Sequence, residues 1–104
     1  MTKLSEIKAK EIVPGFSGKM VHGDKSTLAF FTILKGSVMP EHQHVHEQIT
    51  HVLEGELDMT IGGKEYSLTS GTVQVIPSGV PHSARAIMNC KVIDSFTPVR
   101  EEYK

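Results

Sequence analysis

The sequence predicts an all-β fold, a small jelly-roll barrel (a double-stranded β-helix) of antiparallel sheets. Three observations carry this. Short runs of β-branched and aromatic residues recur at roughly 8–12-residue spacing, glycines and prolines fall between them, and no stretch keeps a helical period for a useful length.

From residue 1 to 13 the pattern is weak: Leu4 and Ile7 fit one side of a helical turn or an extended arm. Pro14-Gly15 marks a turn, and Gly18 and Gly23 space out a short segment. Thr27 to Leu34 (TLAFFTIL) is the first clear strand, bounded by Lys25-Ser26 and Lys35-Gly36. Ile49 to Leu53 and Leu57 to Ile61 follow, with Glu54-Gly55-Glu56 between them; Gly62-Gly63, before Glu65 to Leu68, is a hairpin signal. Ser70-Gly71 turns the chain into Val73 to Ile76, and Pro77-Ser78-Gly79 turns it again. Pro81 opens a segment through Ile87, and Lys91 to Phe96 (KVIDSF) closes the series. The expected organisation is one domain over 1–104, with an arm at 1–13, a barrel core at 27–96 and a tail at 97–104.

A chain of 104 residues, 38% hydrophobic and 22% charged, suits one soluble domain with a modest core. The formal net charge is -1 and the basic residues are scattered, so neither nucleic acid nor an anionic membrane has electrostatic support as a partner. The single cysteine, Cys90, closes no intrachain disulfide and reads as a small buried hydrophobe. Charges break up residues 1–10, which hold no signal-like or membrane-spanning run, so a cytoplasmic protein is expected.

Glu41 to Gln48 (EHQHVHEQ) is the densest set of possible metal ligands. In extended chain, residues two apart share a side, so His42 and His44 can aim both imidazoles into one cavity. His46 has the same parity, and a turn before Gln48 is expected to take it off the metal. His22 and His51 read as non-ligands, His22 lying before the first clear strand and His51 having the parity opposite to Gln48.

Gly36, His42-x-His44, Gln48 and Gly55, followed by Gly71, Pro77-x-Gly79 and His82, resemble the two motifs of the cupin superfamily. Two positions depart: Gln48 stands where most cupins carry glutamate, and Ala86 where the second motif ends in asparagine. An amide oxygen still suits a metal but is neither an anionic ligand nor a base. The resemblance implies one divalent metal ion per chain (Ni, Mn, Fe, Zn or Co) on His42, His44, Gln48 and His82.

The combination of HVHEQ, IPSGVPHSARA, VHGDKSTLAF and Asp94-Ser95-Phe96-Thr97-Pro98-Val99-Arg100-Glu101 is similar to the small cupins of the pectin-degradation type. That resemblance implies a sugar-acid substrate, a 4,5-unsaturated monouronate made linear as a ketouronate. It also implies Asp94 as acid/base, Phe96 as a wall of the sugar pocket and Arg100 as partner of the substrate carboxylate, with a solvated charge the plain alternative for Arg100. Asp94 and Phe96, two apart in a strand-like run, can share one face. Other readings are an Fe(II)-dependent dioxygenase and a non-catalytic sugar- or metal-binding cupin. By the same resemblance, a homodimer paired through sheet edges is expected.

Overall fold

In the computed structural model of residues 1–104, ten strands form two antiparallel sheets. The larger runs, in order across the sheet, β1 (Lys10–Val13), β2 (Phe16–His22), β3 (Thr27–Ile33), β10 (Cys90–Thr97), β5 (Glu47–Glu54) and β8 (Thr72–Ile76). The smaller runs β4 (Val38–His42), β9 (His82–Ala86), β6 (Glu56–Ile61) and β7 (Lys64–Thr69). This is the jelly roll that the spacing predicts.

Period-2 alternation builds the core. β3 buries Thr27, Ala29, Phe31 and Ile33 and exposes Leu28 and Thr32, while β10 buries Cys90, Val92, Asp94 and Phe96. Leu57, Met59 and Ile61 of β6 close the core from the smaller sheet, and full burial of one such side chain contributes about 1.5–3 kcal/mol. The Gly62-Gly63 hairpin forms between β6 and β7 with φ of 56° and 79°, the doubly positive turn that matches strand twist. Gly55, between β5 and β6, is fixed by crowding: a Cβ there would stand 2.3 Å from the Asn89 carbonyl oxygen. Cys90 is buried, as a small hydrophobe should be, and burial pushes its thiol up.

Several expectations change. The sheet starts before residue 27, because β1 and β2 pair across the Pro14-Gly15 turn and β2 pairs along the whole of β3. Gly18 breaks the strand pattern in the sequence, and its reason is tertiary: the Phe31 ring lies over it, 2.7 Å from where a Cβ would be. His22 therefore ends a strand, its Nδ1 2.9 Å from Thr27 Oγ1. The 1–13 segment contains a 3₁₀ turn at Leu4–Glu6 and then β1.

β4 carries no strand signal because Pro40 and Glu41 interrupt it. It is an edge strand, where proline is tolerated, and its register slips between Met39 and His42. The tail folds back to bury Val99, Arg100 and Tyr103. No helix is long and apolar enough to cross a membrane.

Candidate metal centre

Strand register sets the first pair of histidines. β4 meets β9 with His42 directly opposite His82, ring centroids 4.3 Å apart. His44 follows in the irregular segment before β5, its ring 4.9 Å from His82 and 5.7 Å from His42. The two rings thus join one cluster, but not by alternation: β4 ends at His42, and His44 comes in from the loop. The turn at residues 77–79 pins that loop, Gly79 N–H donating to the His44 carbonyl at 2.8 Å and the Ser78 hydroxyl to that of Val45. One ring nitrogen from each of His42, His44 and His82 lies within 4.8 Å of the others, so the three could hold a metal.

The rings are oriented from behind. Each Nδ1 lies close to a backbone carbonyl oxygen: Pro40 for His42 at 2.9 Å, His46 for His44 at 3.0 Å and Val80 for His82 at 2.9 Å. A carbonyl only accepts, so Nδ1 carries the hydrogen and Nε2 turns its lone pair to the cluster. His82 Nε2 is buried with no hydrogen-bond partner. Gln48 Oε1 stands 3.1 Å from His44 Nε2, and with Nδ1 already the donor these are two acceptors face to face. A shared cation reconciles such a pair. The orphaned His82 nitrogen and the facing acceptors are the physical evidence that this neutral N and O donor set fits a divalent ion.

Burial lowers His44 and brings His82 down to about 4, each opposed by its carbonyl hydrogen bond. A depressed histidine contributes stability present above its unfolded value, near 6.5, and lost as pH falls through its folded value. Asp94 acts in the opposite sense: burial raises it to about 6, so its contribution is present below 3.8 and lost as pH rises through 6. We expect the His82 ring of metal-free protein to show no titration in NMR spectra between about pH 5 and 8, where an unperturbed imidazole titrates. A midpoint near 6.5 would contradict the lowering by burial.

The remaining candidates come from the larger sheet. β10 runs beside β5 with Asp94 opposite Thr50 and Phe96 opposite Gln48, so Asp94 and Phe96 do share the inward face. Asp94 Oδ1 accepts from the Thr50 hydroxyl at 2.7 Å. Its rise is caused by burial, against the lowering effects of Thr50, Gln48 and Arg100.

Arg100 is no solvated charge: it is buried, its guanidinium 4.7 Å from the Phe96 ring centre and 4.0 Å from that of Tyr103, and its Nε donates to Glu102 at 2.6 Å. His46 turns away from the cluster, its Nε2 3.3 Å from the Val99 carbonyl oxygen. His51 keeps the parity opposite to Gln48 and Thr50. Thr50 and Tyr103 complete the site without any signal in the local sequence.

Asp94, Phe96, Arg100 and Tyr103 line one cavity with His42, Gln48 and His82. Its free space is about 40 Å³, below the roughly 300–1,000 Å³ of ligand pockets.

Residues 29–96 match the family model of the cupin domain. The chain belongs to the cupin family. The HTH-type transcriptional regulator PuuR of Escherichia coli (strain K12) is 38% identical to it over 91 residues, 81% of this chain and 49% of that protein. This cupin therefore spans about half the length of that curated relative. Among solved structures, it resembles an RmlC-like cupin from Shewanella frigidimarina NCIMB 400, with a TM-score of 0.94 and 26% identity over 100% of this chain and 95% of that one. It also resembles KdgF from Halomonas sp., with a TM-score of 0.89 and 28% identity over 96% and 94% of the two chains.

Proposed function

We propose that this cupin is a metal-dependent enzyme that converts a 4,5-unsaturated monouronate, a lyase product of pectin- or alginate-type polysaccharides, into the linear ketouronate. One observation carries the reading: Asp94, Phe96 and Arg100 line the same cavity as His42, His82 and Gln48. The resemblance of the sequence to pectin-degradation cupins and the likeness to KdgF along nearly the whole chain support it.

The reaction is an isomerisation. The anomeric hydroxyl gives up its proton and its carbon becomes an aldehyde as the ring carbon–oxygen bond breaks. The ring oxygen becomes the ketone, and the alkene carbon beyond it takes up a proton. With a divalent ion held by His42, His44 and His82, and Gln48 as an uncharged fourth donor, the chemistry supplied is Lewis-acid polarisation of a substrate oxygen. Asp94, raised to about 6, both accepts and returns a proton near neutral pH. Phe96 offers an apolar wall. The Arg100 guanidinium, now held by Glu102, has the forked donors that meet a substrate carboxylate in two parallel bonds.

A second reading, a non-catalytic sugar- or metal-binding cupin, is favoured by the match to a transcriptional regulator. Metal-replete protein given unsaturated galacturonate decides between them. The enzyme speeds loss of the conjugated ultraviolet absorbance far above the spontaneous rate, with no oxygen uptake. Binding without acceleration favours the second reading, and oxygen consumption by the iron form would point to a dioxygenase.

A further inference from the structure

Gln48 differs from a carboxylate in that its two terminal atoms are not equivalent. The amide oxygen has lone pairs for a cation, whereas the nitrogen carries two hydrogens and only donates. A glutamate offers an oxygen whichever way its end turns; a glutamine offers one in only one of two orientations. Something outside the side chain must choose.

The choice is made on the side of the amide away from the histidines. Thr50 lies two residues along β5 on the same inward face, 1% exposed. Its hydroxyl has a single hydrogen. Asp94, directly across the ladder, takes it: Thr50 Oγ1 to Asp94 Oδ1 is 2.7 Å. A carboxylate has no hydrogen to return, so only the lone pairs of the hydroxyl are left for Gln48. The Gln48 atom 3.0 Å from Thr50 Oγ1 is then the nitrogen, and the oxygen is turned toward His44 Nε2. In the flipped amide, two buried oxygens would face each other with no hydrogen between them, and an unpartnered buried acceptor costs about 1–3 kcal/mol.

We propose that Thr50 is a positioning residue whose hydroxyl, held by Asp94, fixes the Gln48 amide with its oxygen toward the metal position. This rests on the metal-site part of the proposed function and is independent of the substrate. One hydroxyl thereby joins the fourth donor to the acid/base residue.

The test uses the full-length chain with nickel(II) alone as probe, its affinity read by titration calorimetry. Thr50→Val, alike in shape but without the hydroxyl, binds nickel about 10- to 100-fold more weakly, the usual effect of losing a partner behind a metal ligand. Thr50→Ser stays close to the parent. In a Gln48→Ala background Thr50→Val has no further effect, because the hydroxyl acts through the amide. In metal-free parent protein, the Gln48 side-chain amide hydrogens show NMR contacts to the Thr50 methyl.

Parental affinity in Thr50→Val, an equal loss in the Gln48→Ala background, or serine no better than valine would overturn the assignment. If the valine variant does not fold, serine and the NMR contact decide. A parent that binds no nickel overturns the metal reading and this inference together. Failure of the uronate assay alone overturns the substrate and leaves these affinities standing as support.

Discussion

Alanine at both His42 and His44 abolishes metal binding. The parent is expected to purify with about one divalent ion per chain, and the double variant with none, by elemental analysis of dialysed protein. Two of the three clustered imidazoles are then gone, and the lone His82 and an amide do not hold an ion against dialysis. These two are the right pair to remove because both are half-buried, whereas His82 is 2% exposed and its truncation would leave a cavity. Stability follows by mass action: free metal at 100 times Kd adds about 2.7 kcal/mol to the parent and nothing to the variant. Stoichiometric metal in the folded double variant would sink the site.

The second large effect falls on Asp94. Asparagine has the same size and keeps an oxygen for the Thr50 hydroxyl hydrogen, so the packing around it survives. Proton transfer does not. Turnover of the unsaturated uronate falls by about 10²–10⁴, the range for loss of a general acid/base, while substrate affinity stays near parental. The ionised fraction of Asp94 grows as pH rises through about 6, so the acidic limb of the parent rate profile disappears with it. An Asp94→Asn enzyme within a few-fold of the parent would remove Asp94 from the mechanism.

Much of the fold is legible in the sequence because each strand with one wet face writes its own period. β3, β6, β7 and β10 are read from alternating, β-branched runs and from Gly62-Gly63. β2 and β4 are not: Gly18 answers to Phe31, and Pro40 is harmless only because β4 is an edge. The three clustered histidines are legible through motif spacing, although His42 and His82 meet by cross-strand register. Thr50 opposes Asp94 from 44 positions away, and Tyr103 reaches Phe96 only because the tail folds back. Such placements exist only once the sheet is formed.

The single cysteine has a practical consequence. Cys90 is buried behind Gly55, its thiol raised by burial and its Sγ 3.2 Å from the Glu56 carbonyl oxygen, so it offers maleimides almost no thiolate. The natural chain is thus already a silent background for site-specific labelling. A cysteine introduced at the exposed Glu101, in the tail turn between the cavity-lining Arg100 and Tyr103, would carry a fluorophore alone beside the site.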